Sequence, residues 1–377
     1  MDIGIYIHFP FCRKKCPYCN FASYAGLNLT TSEYIKGLLK EAYHYLNQDT
    51  IKGKGIDSVY LGGGSPSLLS PFLLEDVFNY IYGRLYTNYY VEVTIEINPA
   101  TISKEKLKAY RSLGINRLSI GVQSFQDPFL RILGREHTAD EAKYTYYLAR
   151  KAGFGNIGID LIFGLPDQKL SDWERDLKEV EKQKPDHISI YLLSIEKGTP
   201  FYKNKTIVPT DNSCVKMYNL AHDYLKACGY REYEISNFSK SGFESHHNLR
   251  YWNREDYLGL GSSAHSFLQE GFGKRWWNRT HPEEYLKLLN QGKIPVSGKE
   301  TIDLEDAMKE TVFLKLRLKK GLSRKDFYLK FSILIDDAFP GVVEKLVSAG
   351  LLKTEDDFIF LTSKGKILSN QVFLAFF

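Results

Sequence analysis

The residues best suited to chemistry lie near the start of the sequence, in the stretch HFPFCRKKCPYCNF. It places Cys12, Cys16 and Cys19 within eight residues, with the spacing C-x3-C-x2-C. Three thiols this close together, in a chain expected to stay reduced, indicate metal ligands or redox groups. Cys214 and Cys228 stand apart in sequence of helical character, and we predict that they are small buried residues.

Two metal centres are compatible with this spacing. A structural zinc ion prefers four protein ligands, often in two C-x2-C pairs, and only one such pair is present, so His8 would have to be the fourth ligand. A [4Fe–4S] cluster held by three thiolates would instead leave one iron open to a substrate. The spacing favours the cluster, and zinc remains the alternative.

The elements that would position these thiols alternate along the first two thirds of the chain. Apolar runs alternate with helical stretches near Thr31–Asn47, Pro71–Leu85, Lys104–Leu113, Ala139–Ala152, Ser171–Lys184 and Asp211–Cys228. The predicted strands are GIYIHF, DSVYLGG, YVEVTIEIN, INRLSIGVQ, GNIGIDLIFG and DHISIYLLS. Because several of these runs are apolar on both faces, they are typical of a parallel sheet covered by helices. The pattern predicts an α/β barrel or an open doubly wound sheet.

Polar and glycine residues fall where the predicted strands end. They are GGGSP after the second strand, Glu96 and Asn98 at the third, Gln123 at the fourth, Asp160 within the fifth and Ser194 at the sixth. In α/β folds the carboxyl ends of the strands form the active face. We therefore expect these residues to converge on one mouth.

The alternation stops after about Gly229, and the chain becomes helical and charged from His281. The stretch LVSAGLLKTEDDFIFLTSKGKIL predicts a helix followed by a β-hairpin, a winged-helix pattern. Its wing, EDDF, is acidic, which argues against nucleic acid as a partner. We predict a core barrel over residues 1–235, a connecting segment over 236–280 and a C-terminal domain over 281–377.

The composition is that of an ordinary globular chain. Of 377 residues, 43% are hydrophobic and 25% charged, and the net charge of +5 is too small to indicate nucleic-acid binding. No apolar run reaches the length of a membrane span, and the start lacks the features of a signal peptide. We expect no integral membrane segment and a cytoplasmic location.

The cysteine motif, with Tyr18 before its last cysteine and a strand before it, resembles that of the radical S-adenosylmethionine (SAM) superfamily. The resemblance implies that the open iron binds the amino and carboxylate groups of SAM, and that the reduced cluster cleaves SAM to a 5′-deoxyadenosyl radical. YIHFPFC, LGGGSPS, IEINP, GINRLSIGVQSF, LGREHT, IDLIFGLP and ISIYLL further resemble the oxygen-independent coproporphyrinogen III oxidase group. The fold implied is α/β, a partial (β/α)6 radical SAM barrel with a small C-terminal winged-helix-like α+β domain.

The same resemblance assigns residues to the cofactors. It gives the cluster to the three cysteines, places residues 63–65 along the methionyl group of SAM, and gives the SAM ammonium group to Glu96. Taken alone, Glu96 or Asp160 would be interpreted as half of a buried ion pair. The full set implied for SAM or a second ligand is Tyr6, Tyr18, Gly63, Gly64, Ser65, Glu96, Gln123, Arg135, Asp160 and Ser194.

This chain differs from the oxidases in two features of its sequence. The oxidases carry a fourth cysteine two residues after the third, where this chain has Phe21, and a long segment before the cluster, where this chain has eleven residues before Cys12. Both features resemble the sister family, the HemW haem chaperones, which implies no coproporphyrinogen III oxidase activity. An oxidase that manages without the fourth cysteine remains the alternative, and a zinc-stabilised binding protein is a more distant one.

The stretch HNLRYW supports the chaperone interpretation, because it fits the H-N-x-x-Y-W pattern associated with haem binding in that family. An imidazole can ligate haem iron and aromatic rings can cover the porphyrin. The resemblance implies that His247 binds haem, which passes to haem-accepting proteins such as respiratory enzymes. A monomer and a dimer stay open as alternatives. We interpret His246 and His265 as hydrogen-bonding residues.

Overall fold

The computed structural model describes residues 2–377, and all of their side chains except those of residues 88 and 89. The strands are β1 Ile3–Phe9, β2 Gly55–Gly63, β3 Tyr86–Ile97, β4 Arg117–Gln123, β5 Asn156–Phe163, β6 His187–Leu192, β7 Arg231–Glu234, β8 Asn237–Ser239, β9 Tyr257–Leu260, β10 His265–Leu268, β11 Lys274–Asn278, β12 Val296–Thr301, β13 Leu322–Ser323, β14 Leu352–Glu355 and β15 Phe358–Leu361.

Helices occupy all six predicted stretches, and others that were not predicted lie between and after them. The helices are α1 Thr31–Leu46, α2 Pro71–Tyr82, α3 Lys104–Ser112, α4 Asp127–Ile132, α5 Ala139–Lys151, α6 Leu170–Gln183, α7 Pro200–Lys203, α8 Asp211–Ala227, α9 His246–Trp252, α10 Pro282–Asn290, α11 Leu304–Arg317, α12 Arg324–Phe331, α13 Ile335–Ala338, α14 Val342–Ser348, α15 Ser363–Ile367 and α16 Ser369–Leu374. Among those that were not predicted are α4, α7 and α9. Thr30 and Glu33 form a capping box that starts α1, as Thr138 and Glu141 do for α5.

The main sheet is built around strands β1 to β6, which pair in parallel and in chain order. Over the described residues its order is β12-β11-β10-β9-β1-β2-β3-β4-β5-β6-β8-β7. It begins at β12 and ends at β7, so the barrel is open between these two strands. This arrangement confirms the predicted α/β fold with a partial barrel.

The two faces of strand β4 differ in chemistry. In β4, Leu118, Ile120 and Val122 are buried in the main apolar core. Arg117 and Ser119, on the alternate face, line the barrel interior together with residues of the neighbouring strands. The outer layer of helices holds the barrel together, and the inner face carries the polar groups.

The stretch after Gly229, which shows no period in the sequence, contains short strands that extend the main sheet. Strand β9 pairs in parallel with β1, and β10 to β12 follow as antiparallel neighbours. The predicted connecting segment, residues 236–280, thus contributes β8 to β11 to the sheet of the barrel. The domain boundaries at 235 and 280 remain a prediction.

The C-terminal part has a core of its own. Strands β13, β15 and β14 form a small antiparallel sheet in that order, and helices α11, α12 and α14 supply much of an apolar cluster over it. The β14–β15 hairpin is the predicted wing. This confirms the small winged-helix-like α+β domain. Among the described residues, no helix combines the length and the apolar character that crossing a membrane requires.

Candidate functional site

The carboxyl ends of the parallel strands surround a cavity of about 350 Å³, here called the mouth cavity. It brings together residues that are up to 236 positions apart in the chain, from Cys12 to Asn248. The predicted site residues that line it are Cys12, Cys16, Tyr18, Cys19, Gly63, Gly64, Ser65, Glu96, Gln123, Arg135, Asp160 and Ser194. Tyr6 and His247 lie outside it.

The cysteine loop is closed at its base by backbone pairing. The Cys12 amide donates to the Tyr24 carbonyl at 2.9 Å, and the Tyr24 amide donates to the Pro10 carbonyl at 2.7 Å. The loop also contacts α7, where the Phe201 amide donates to the Pro17 carbonyl at 3.0 Å. These bonds hold the loop, with all three of its thiols, over the mouth of the barrel.

Each thiol has its own polar neighbour. The Ser65 hydroxyl lies 3.8 Å from the sulfur of Cys12, and the Ser23 hydroxyl lies 4.0 Å from that of Cys19. The Arg135 guanidinium lies 3.8 Å from the sulfur of Cys16. Burial raises the pKa of the Cys12 thiol, and the Ser65 hydroxyl beside it opposes that rise.

The three cysteines line one cavity. Among the described residues, no three His, Cys, Asp or Glu side chains are grouped so that they could hold a single ion. One zinc ion needs its ligands around one point, whereas a [4Fe–4S] cluster takes each thiolate at a different iron. The donor set, three thiols facing one cavity, therefore fits the cluster.

The glycine turn after β2 packs directly against the cysteine loop. The Gly64 amide donates to the Phe9 carbonyl at 2.7 Å, and the Ser65 amide donates to the Phe11 carbonyl at 2.8 Å. A Cβ on Gly64 would lie 2.6 Å from the Phe11 carbonyl oxygen, so only glycine fits there. Gly63 has φ +111°, a conformation that side chains rarely adopt.

Glu96 carries a half-buried carboxylate on the wall of the mouth cavity. It accepts hydrogen bonds from the Tyr60 hydroxyl at 3.0 Å and from the Gly63 amide at 3.2 Å. Burial and the nearby Asp160 raise the pKa of Glu96 to about 7. Burial also raises the pKa of Asp160, which accepts a hydrogen bond from Ser119 at 2.8 Å. A cationic ligand in this cavity would favour the ionised form of both carboxyl groups.

Arg135 brings a positive charge to the same cavity from the loop after α4. Besides its contact with Cys16, its guanidinium donates to the Gly121 carbonyl at 3.0 Å and to Asn98 at 3.3 Å. Arginine is the side chain best shaped to pair with a ligand carboxylate.

Gln123, at the end of β4, has φ +68°, a strained backbone for a non-glycine residue.

The deeper wall of the mouth cavity was not predicted from the sequence. It is lined by Tyr60, Arg117, Ser119, His187, Ser189 and Tyr191. These residues lie on the inner face of β2, β4 and β6. The period of two along β4, through Arg117, Ser119, Gly121 and Gln123, is the sequence signal that would have found Arg117.

His247 lies within the barrel wall and is fully buried. Its Nδ1 lies 3.0 Å from the Ser58 hydroxyl and its Nε2 lies 2.8 Å from the Tyr251 hydroxyl. Burial and the nearby Arg250 and Arg117 lower the pKa of His247 to about 3, so its ring is neutral. Both ring nitrogens are therefore engaged, and iron would reach one of them only if a hydrogen bond broke.

Tyr6 lines a second cavity of about 310 Å³, here called the side cavity, which adjoins the first. The two cavities share Phe21, Gly63 and Glu96. The other residues that line the side cavity are His8, Ala22, Tyr251, Tyr257, Ser263 and His265. Tyr251 belongs to the HNLRYW stretch, so that stretch reaches the side cavity through its tyrosine and the mouth cavity through Asn248.

Comparison with known proteins identifies two sequence families in the chain. The family model of the radical SAM superfamily matches residues 6–180, and that of the HemN C-terminal domain matches residues 302–368. The chain is 35% identical to "Heme chaperone HemW" of Bacillus subtilis (strain 168), over 98% of both chains. It is 32% identical to "Heme chaperone HemW" of Escherichia coli (strain K12), over 99% of this chain and 98% of that one.

A solved structure matches over the whole chain. The coproporphyrinogen III oxidase HemN of Escherichia coli, described as a radical SAM enzyme, superposes with a TM-score of 0.87 over 100% of this chain and 90% of its own. At 23% sequence identity, this similarity confirms the fold alone.

Proposed function

Because the chain belongs to the HemW haem chaperone family of the radical SAM superfamily, we propose that it binds haem and passes it to haem-requiring proteins. The observation that carries this proposal is the similarity to curated haem chaperones at 32–35% identity over nearly the whole of both chains. The aligned region includes the C-terminal domain and the segment around HNLRYW, so the similarity is not limited to the barrel.

A [4Fe–4S] cluster and SAM are the cofactors of the mouth cavity. Bound and reduced, the cluster supplies an electron to the sulfonium group of SAM. We propose that Cys12, Cys16 and Cys19 hold the cluster, which three thiols with separate polar donors suit. The backbone of residues 63–65, which lies against the cysteine loop, would then border the methionyl group of SAM.

Other residues of the mouth cavity would bind the charged parts of SAM. We propose that Glu96, a half-buried carboxylate that among the described residues has no cationic partner at hydrogen-bond distance, binds the SAM ammonium group. Arg135 would pair with a ligand carboxylate, and Tyr6 would lie against bound SAM from the side cavity. The same proposal assigns the remaining contacts to Tyr18, Gln123, Asp160 and Ser194.

The identity of the haem ligand and that of the haem recipient are separate proposals. That His247 ligates haem iron remains a prediction, which requires its ring to leave the Ser58 or the Tyr251 hydroxyl. Respiratory enzymes as recipients, a dimer and a cytoplasmic location are likewise proposals.

A transfer assay tests the function. The cluster would be reconstituted without oxygen, the protein loaded with ferric haem, and the complex mixed with the apo form of a b-type cytochrome. We expect the Soret spectrum of the recipient to develop faster than from a protein that binds haem without delivering it, such as serum albumin. Equal rates would overturn delivery, and failure to bind haem would overturn the proposal entirely.

A second assay separates the chaperone from the oxidase. Reconstituted protein would receive a reductant, SAM and coproporphyrinogen III, and mass spectrometry would follow 5′-deoxyadenosine and the decarboxylated porphyrinogen. We expect no decarboxylation beyond that of the Cys12→Ser/Cys16→Ser/Cys19→Ser variant. Decarboxylation above that control would make the chain an oxidase that tolerates Phe21 in place of a cysteine.

A further inference from the structure

The side cavity contains a histidine that is free to ligate a metal. Two of the nine histidines line this cavity, His8 and His265. His8 is buried, and its ring nitrogens lie 3.0 Å from the Tyr6 hydroxyl and 2.9 Å from the Ala22 carbonyl. His265 is exposed, and its ring nitrogens have no hydrogen-bond partner among the described residues.

The indole of Trp277 supports one face of the His265 ring. The two rings stack, with ring centroids 5.7 Å apart and planes 21° apart. Trp277 lies opposite Gly298 in the β11–β12 pairing, and a Cβ on Gly298 would lie 2.3 Å from the indole. Glycine at 298 therefore makes room for Trp277, which supports one face of the imidazole and leaves its edge open to the cavity.

The walls of the side cavity suit a flat aromatic ligand. Tyr251 and Tyr257 meet edge to face at 4.6 Å, and Tyr6 completes the aromatic wall. Phe21 is 64% exposed at the rim. The Lys15 ammonium group donates to the Phe21 carbonyl at 2.9 Å, so a cation stands beside this rim. Aromatic side chains pack against a porphyrin face, and an ammonium group pairs with a propionate.

We propose that the side cavity is the haem site and that His265 is an axial ligand of the haem iron. The proposal rests on the proposed chaperone function. A neutral imidazole is a common ligand of haem iron. In this arrangement the haem would lie beside Glu96 and Gly63, which both cavities share, so haem and SAM would be neighbours.

The test is a haem titration of the full, cluster-reconstituted chain. Ferric haem would be added to the parent, His265→Gln, His265→Gly and His246→Gln, and the Soret band and the electron paramagnetic resonance spectrum would be recorded. His246→Gln is the matched control, because His246 is exposed and lines neither cavity. We expect His265→Gln to weaken haem binding about tenfold or more and to lose the histidine-ligated signature.

The remaining variant makes the assignment specific. We expect added imidazole to restore the signature in His265→Gly, because it fills the space of the lost ring. If the parent binds haem and His265→Gln binds it with the same affinity and spectrum, the ligand assignment is wrong and the chaperone function stands. If the parent itself binds no haem, both proposals fail. An effect of His246→Gln equal to that of His265→Gln would also overturn the assignment.

Discussion

The imidazole of His247 lies 3.0 Å from the hydroxyl of Ser58, a residue 189 positions earlier in the chain. Together with its contact to Tyr251, this bond ties α9 to the inner face of β2. We expect His247→Ala to lower the free energy of unfolding by about 2–4 kcal/mol, because it opens a cavity and removes the hydrogen bonds of the ring to the Ser58 and Tyr251 hydroxyl groups. Chemical denaturation of cluster-free protein would measure this loss.

The neighbouring histidine supplies the control for this prediction. The His246 ring is exposed and contacts Tyr90 edge to face. His246→Ala should therefore change stability by no more than about 0.5 kcal/mol. If His247→Ala proved as harmless as His246→Ala, the buried, doubly bonded position of His247 would be incorrect, and its ring would be available to a ligand.

The three clustered cysteines should behave differently from the two others. We expect Cys12→Ser, Cys16→Ser or Cys19→Ser to remove the visible absorbance and most of the iron of the reconstituted protein, because serine does not replace thiolate at an iron–sulfur cluster. Cys214→Ser and Cys228→Ser are the matched controls, since neither residue lines the mouth cavity. Full iron content in a variant of the first group would exclude that cysteine as a ligand.

Much of the barrel could be predicted from the sequence because its signals are local. Apolar runs buried on two faces specify the parallel strands, and Glu96, Gln123 and the glycines after Leu61 mark their carboxyl ends. Since parallel strands with helical crossovers present those ends on one side, the sequence also predicted that the residues of the mouth cavity would meet.

The remaining features depend on contacts that no local pattern records. Helix α9 is seven residues long, and its position depends on Glu92, whose carboxylate accepts from the backbone amides of His246 and His247 at 3.0 and 3.1 Å. The pairing of β9 with β1 likewise joins segments about 250 residues apart. Burial of His247 and exposure of His265 follow from these long-range contacts, so sequence reasoning could not predict which imidazole is buried.

The raised pKa of Glu96 makes SAM binding depend on pH. The ionised carboxylate is the stronger hydrogen-bond acceptor for the SAM amino group, and a pKa of about 7 leaves Glu96 mostly protonated at pH 6. We expect SAM affinity to rise about five- to tenfold between pH 6 and pH 7.5, as this carboxylate ionises. Calorimetric titration of reconstituted protein at both pH values would measure this rise.

Glu96→Gln distinguishes this carboxylate from other titrating groups. Glutamine keeps an acceptor for the Tyr60 hydroxyl and has no charge to gain. The variant should therefore bind SAM weakly and with little pH dependence between pH 6 and pH 7.5. A rise in affinity as steep as that of the parent would place the titrating group elsewhere, with Asp160 as the nearest candidate.

Gly64 tests how closely the glycine turn and the cysteine loop fit. In Gly64→Ala the new methyl group would lie 2.6 and 2.9 Å from the carbonyl oxygens of Phe11 and Phe9, and backbone atoms cannot rotate away as a side chain does. We expect a loss of about 1–3 kcal/mol in stability, together with a lower iron content, because the displaced loop carries Cys12. Gly155→Ala is the control, since a Cβ there meets nothing within 4 Å. Unchanged iron content and stability in Gly64→Ala would mean that the two loops are not in contact.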